Sequence, residues 1–260
     1  MHPGFLIGGA ALAIVLILVV QFWPQPEQEP PAREPVVTAP PDPIVEEQPE
    51  PVPVPPVEEP VGVVTVPVVT LAALNESDAF VRERIAGLGL PGLWTQRDEL
   101  IRRLAVVVDN AARGELPRRQ LAFMAPSGVF PVRERGGRVY LDPAGYERFD
   151  GYLDTLEGVD PVLLSDFLAL VDSLVVEALG ELGNRRGVVE QVSDALLELE
   201  SVPVLWVPPE LVPVEAVYQY ADPQLESLSL LQKQVLRMGP RNVNRLKAWL
   251  GRLKAALRSS

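Results

Sequence analysis

Apolar positions fall into three regimes along this chain. Residues 4–23 form an unbroken run without a charged side chain. At ~1.5 Å rise per residue, about twenty helical residues span ~30 Å, the thickness of a bilayer's hydrocarbon core. The run therefore predicts one membrane-spanning helix, with Phe22 and Trp23 placed where aromatic rings settle among headgroups. From Pro24 to Pro60 the periodicity disappears: 14 of 37 positions are proline, nine are Asp or Glu, and Arg33 is the only base. This composition buries too little surface to fold. At ~3.1 Å per residue it predicts an extended spacer that reaches on the order of 100 Å. Beyond Leu71 the spacing becomes mainly 3.6-periodic, as amphipathic helices require. The expected fold class is mainly α: a transmembrane anchor over 1–23, a disordered proline-rich acidic linker over 24–70, and one compact multi-helix domain over 71–260 with a small β-hairpin.

Within the domain, Asn75 and Asp78 have capping-box spacing and predict a helix start, followed by an apolar stripe of Phe80, Val81, Ile85 and Leu88. A second helix is expected from Gln96 to Ala112, with Leu100, Ile101, Leu104, Val107 and Val108 inward. Val129 to Leu141 reads as a hairpin closed at Gly136-Gly137, and Pro131 confines its strand to a sheet edge. Asp142-Pro143, Asp160-Pro161 and Asp222-Pro223 each precede a helical pattern. Aspartate caps free N–H groups and proline suits the first helical position, so these are helix starts, not catalytic carboxylates. The segment from Pro161 to Leu182 is apolar over a wide face and predicts a central helix. Its Asp166, Asp172, Glu177 and Glu181 argue against a second span. Gly183 ends it, and a further helix is expected from Gly187 to Glu200. Residues 201–217 are rich in Pro and Val and predict extended chain, with Trp206 as a packing anchor.

The charge balance changes once it is divided. The chain carries −12, but the linker's nine acids and one base leave 26 acids and 22 bases for residues 61–260. The domain is nearly balanced, and the low isoelectric point describes the tether. The exit of the apolar run lacks a small-residue cleavage site, so an uncleaved anchor is expected. The short tail before it suits an N-terminus in the cytoplasm, which in a bacterium puts the domain in the periplasm.

The only histidine is His2 and there is no cysteine. The domain thus offers no Cys or His nucleophile, no Ser-His-Asp triad and none of the usual zinc ligands. Phosphate-cradling and dinucleotide glycine motifs are missing too. No cofactor and no metal is expected. Two carboxylates alone could serve a glycan-cleaving enzyme, but the sequence nominates no pair. Asp109-Asn110 interrupts an apolar stretch, and a polar group near a helix end accounts for it.

The C-terminal segment is the most distinctive. After Glu226 no acid follows, while eight bases occupy 34 residues. Val243, Leu246, Leu250, Leu253 and Leu257 recur at 3-4-3-4 spacing, giving an apolar seam with a basic opposite face. Candidate partner-binding residues are Arg237, Arg241, Arg245, Lys247, Trp249, Arg252 and Lys254. The seam can dock on the domain core, pair with a partner helix, or lie on an anionic membrane surface. Nucleic acid is not an expected partner, because aromatics are not interleaved with the bases.

Leu74-Asn75-Glu76-Ser77-Asp78-Ala79-Phe80, Val139-Tyr140-Leu141-Asp142-Pro143, Tyr218-Gln219-Tyr220-Ala221-Asp222-Pro223 and Gln234-Val235-Leu236-Arg237-Met238-Gly239-Pro240 together resemble a proteobacterial family of membrane-anchored proteins catalogued as domain of unknown function 3014. The resemblance implies an inner-membrane anchor and a bacterial envelope location, and it brings no activity. The function expected is non-enzymatic binding or scaffolding of another envelope protein or polymer. The alternatives are a carboxylate-dependent peptidoglycan- or glycan-acting enzyme and anionic membrane-surface binding through the C-terminal helix.

Overall fold

The computed structural model describes residues 72–88, 96–118, 130–215 and 217–259. The anchor and linker expected over 1–23 and 24–70 lie outside the described residues. In chain order the elements are α1 (Asp78–Ala86), α2 (Leu100–Ala112), β1 (Val132–Arg135), β2 (Arg138–Leu141), α3 (Asp150–Glu157), α4 (Pro161–Glu181), α5 (Val188–Glu200), β3 (Glu210–Val214), β4 (Val217–Tyr220), the single turn α6 (Pro223–Glu226), α7 (Leu230–Leu236) and α8 (Gly239–Leu257). The domain is mainly helical with one small antiparallel sheet.

The wide apolar face of α4 places it at the centre, where it contacts α2, α5 and α8. Leu164, Leu168, Val171, Val175 and Leu179 are all buried. Leu163 and Leu182 of the same apolar segment are exposed, because they fall outside the arc that three neighbouring helices cover. Gly183 takes φ 79, and the Asn184 N–H reaches back to the Leu179 carbonyl at 2.9 Å, closing the helix in a Schellman-type turn. Among the described residues no helix is long and apolar enough to cross a membrane.

The three Asp-Pro steps all cap, though Asp142 caps only the 3-10 turn Pro143–Gly145 and not an α-helix. Asp142, Asp160 and Asp222 accept from the N–H two residues on, at 3.0, 2.8 and 2.8 Å. The expected cap at Asn75 does not form. Residues Leu74–Glu76 make a 3-10 turn instead, and Asn75 accepts from Arg102 at 2.7 Å. Asp78 works at a distance: its carboxylate accepts from the backbone N–H groups of Glu99 and Leu100, at 2.8 and 2.9 Å, and so caps α2. Glu99 at that junction has φ 57. Asp172 does the same for α5, accepting from the Val188 N–H at 2.7 Å. These aspartates satisfy orphan donors of another helix and fasten two elements together.

The hairpin closed by Gly136 and Gly137 forms as its sequence predicts, with φ 61 and 75 at the two glycines. It is half of a larger object. Glu210–Val214 and Val217–Tyr220 pair with each other as well, and the four strands order β1-β2-β3-β4, all antiparallel. Pro213 sits within β3 opposite Tyr218, whereas β2 pairs only with Glu210 and Leu211. Its missing N–H therefore removes no bond to β2.

Candidate functional site

The basic helix is built into the core. Val243, Leu246, Leu250 and Leu253 of α8 are all buried, and α8 contacts α3, α4, α5 and α7. The apolar seam is thus docked on its own domain and is not available to a bilayer. Trp249, grouped above with the partner-binding bases, is 0 % exposed, and its indole N–H donates to the Val159 carbonyl at 3.3 Å.

Several of the bases also have partners within the domain. Arg245 lays its fork across Glu157 at 2.9 and 2.6 Å and reaches Asp154 at 2.6 Å. The hydrogen bonds it donates to Glu157 and Asp154 hold its guanidinium above the ordinary arginine value. Lys254 pairs with Glu200 of α5. Arg237 donates to Gln234 at 3.0 Å and stands beside Tyr220. Burial pushes the Tyr220 hydroxyl up to about 12, and that hydroxyl donates to the Lys233 carbonyl at 3.2 Å. Arg241 comes within 3.7 Å of Asp150 but is largely exposed. Arg252 is exposed and Lys247 half-buried. Of the seven candidates, only Arg241 and Arg252 are exposed, and the Arg252 charge acts on Glu157.

Arg102 binds Glu181 through two 2.7 Å hydrogen bonds, and Arg103 donates to the Asp98 carbonyl. Arg118 lies near a C-terminal base: burial and the nearby Arg237 charge lower its guanidinium below the usual value.

Residues 100–254 match the family model described as Protein of unknown function (DUF3014). The chain belongs to this family. No curated protein and no solved structure matches it. The matched span runs from the start of α2 to the last turns of α8, so the family domain includes the central helix, the sheet and the basic face.

Three carboxylates of this DUF3014 domain, Asp109, Glu157 and Glu181, are each tied to an arginine. Asp109 is only 7 % exposed. Burial alone would raise its carboxyl, but Arg113 at 2.5 Å and the Asn184 amide at 2.9 Å outweigh that and hold it below the usual range. It fastens the C-terminal turn of α2 to the α4–α5 connection, a specific form of the polar helix-end role expected for it. The Arg245 hydrogen bond depresses Glu157, and the Arg102 hydrogen bond depresses Glu181. Among the described residues no group of His, Asp or Glu could hold a metal ion.

Depressed carboxyls make stability sensitive to acid. A folded value below the unfolded one gives stability that is fully present above the unfolded pKa and lost as pH falls through the folded value. With unfolded carboxyls near about 4, the loss is expected below about pH 4. Circular dichroism of the full chain against pH should show the transition there. Asp109→Asn should flatten the acid limb, since it removes one of the titrating contributors.

Sequence reasoning misplaced Trp206. It is 73 % exposed and its neighbour Val207 is 78 % exposed. Pro203, Pro208 and Pro209 bracket this segment, and proline limits how far such a loop can collapse onto the core. Val212, Val214 and Tyr218 of the adjoining hairpin are exposed as well. Alternating strand positions could have signalled that second hairpin. The orientation of the tryptophan had no signal, since its composition reads as core.

Proposed function

We propose that this protein is a non-enzymatic binding or scaffold component of the bacterial envelope. In this reading the apolar N-terminal run anchors it in the inner membrane, the proline-rich segment acts as spacer, and the periplasmic domain engages another envelope protein or polymer. The observation that carries the reading is the Trp206–Val207 prominence. Two adjacent large apolar side chains held in water by a proline-bracketed loop are costly in a free domain, and exposed apolar surface of this kind marks interaction sites. Tryptophan is also the residue type most enriched among binding hot spots.

The carboxylate-pair alternative is weaker. A general acid working near neutral pH needs a raised carboxyl, whereas Asp109, Glu157 and Glu181 are each held down by an arginine. Membrane-surface binding through the α8 seam loses its premise, because that seam is docked.

The test uses the full chain in cells with a photo-crosslinking residue at position 207. One discrete adduct with an envelope component is expected. Trp206→Ala should abolish it while leaving folding stability within about 0.5 kcal/mol, as for an exposed side chain. Deleting residues 24–60 should also abolish it. An absence of adducts would refute the binding role of the loop, and adducts that survive the deletion would refute the need for reach.

A further inference from the structure

The two outer strands of the sheet differ in composition. Among the described residues, β1 forms one edge and β4 the other. β1 carries Arg133, Glu134 and Arg135 and follows Pro131. Charges and proline of this kind keep an exposed edge from pairing with another strand. β4 reads Val217-Tyr218-Gln219-Tyr220, with neither a charge nor a proline. On β3 and β4, Val212, Val214 and Tyr218 are exposed. An uncharged edge beside exposed apolar side chains invites strand addition.

One contact stands against that. The Ala221 N–H donates to the Glu210 carbonyl at 3.0 Å. The ladder alternates, so the backbone N–H and C=O groups of Tyr218 and Tyr220 point away from β3. The outward N–H of Tyr220 is taken by Glu226, the last residue of α6, which accepts from it at 2.8 Å. The other oxygen of that carboxylate accepts from Lys233 Nζ of α7 at 2.7 Å, and Lys233 also donates to the Glu226 carbonyl at 3.0 Å. The Asp222 cap starts α6 and so fixes where Glu226 stands. A carboxylate thus sits where the carbonyl of an added strand would bond.

We propose that the Glu226–Lys233 pair is a guard on the β4 edge, which keeps two copies of this domain from joining edge to edge. The register it blocks is specific. Antiparallel pairing about a two-fold axis that uses both outward residues sets Tyr218 of one copy opposite Tyr220 of the other, and Gln219 opposite Gln219. Its hydrogen bonds need the Tyr220 N–H of each copy, and Glu226 occupies both. The guard does the work on β4 that Arg133, Glu134 and Arg135 do on β1. This inference does not depend on the binding reading of Trp206.

The chain has no cysteine, so Gln219→Cys is a clean reporter of that register. The two Cα atoms of a non-hydrogen-bonded antiparallel pair lie ~4.5 Å apart, within disulfide reach. Full-length protein in detergent is oxidised, and the disulfide dimer is read on a non-reducing gel. Gln219→Cys alone should stay largely monomeric. Adding Glu226→Ala should raise the dimer at least about tenfold, as the loss of one hydrogen bond to a charged acceptor per copy implies. Lys233→Met, which frees the carboxylate from its anchor, should raise it less, and it serves as the test if Glu226→Ala does not fold. Adding Tyr218→Pro to Glu226→Ala should restore the monomer, because the Tyr218 N–H points away from β3 and its loss spares the ladder. Arg133→Cys on β1 should not respond to Glu226→Ala. Equal crosslinking at position 219 with and without the guard, in folded protein, would overturn the proposal. So would a dimer that survives Tyr218→Pro, or an equal rise at position 133.

Discussion

Trp249→Ala is expected to be the most damaging single substitution in the domain, costing about 3–5 kcal/mol. The indole is completely buried on α8, and its N–H is bound to the Val159 carbonyl. Truncation removes a large apolar area, opens a cavity that four packed elements cannot close, and strips a buried carbonyl of its donor. At this domain size, each kcal/mol moves the melting temperature by roughly 2–4 °C, so a drop on the order of 10 °C is expected. Thermal or denaturant unfolding of the full chain measures it. Trp249→Phe should lie between the two, since it keeps most of the volume and loses the hydrogen bond. The contrast with Trp206→Ala is the informative one: the same change in the same domain is expected to differ several-fold in cost. Equal effects at the two positions would refute the packing described for α8.

Gly239→Ala is expected to follow, at about 2–5 kcal/mol. Gly239 starts α8 at φ 77, a conformation that costs an L side chain ~1–2 kcal/mol. It also lies against Tyr146. A Cβ would stand 2.3 Å from the ring's Cδ2 and 2.5 Å from Cγ, so the ring or the helix has to move. Overpacking of that kind costs about 1–3 kcal/mol. The Tyr146 main chain is held against α8, because its carbonyl accepts from Asn242 at 3.2 Å. Gly136→Ala is the control. Gly136 has φ 61, but nothing lies within 4 Å of its Cβ position, so only the backbone strain remains. If both substitutions destabilise equally in denaturant titration, the Tyr146 contact contributes nothing.

Both sites show where local pattern stops informing. Arg237-Met238-Gly239-Pro240 carries a glycine suited to ending a helix and a proline suited to starting one, and a helix end and a new start form there between α7 and α8. The need for glycine there has two causes, and only the backbone one is local. The ring that excludes a side chain arrives from a residue 93 positions earlier in the chain. Asp78 and Asp172 repeat the lesson. Each was visible as an acid within or beside a helical pattern, but the helix it caps belongs to a different part of the sequence. Asn75 had the spacing of a cap and went to Arg102 instead, because a long guanidinium from α2 competes for the same oxygen.

Sequence alone determined the elements whose causes are short-ranged. The three Asp-Pro caps, the Gly136-Gly137 hairpin, the stop at Gly183 and the helices of the domain depend on φ preferences, capping and periodicity within a few residues. It also identified the family, since the motifs spread over much of the domain. Tertiary structure alone decided which apolar side chains are buried, which bases keep solvent, and that the two hairpins join into one sheet. Trp206 and Trp249 have the same chemistry, and only the packing of α8 against α3, α4, α5 and α7 puts one in the core and leaves the other in water. Arg245 and Lys247 sit two residues apart in one basic run. α3 presents Asp154 and Glu157 to Arg245, while Lys247 lies on the far flank of α8, beyond their reach. Burial and pairing depend on what another segment brings to the spot, and a chain's local pattern carries no record of that.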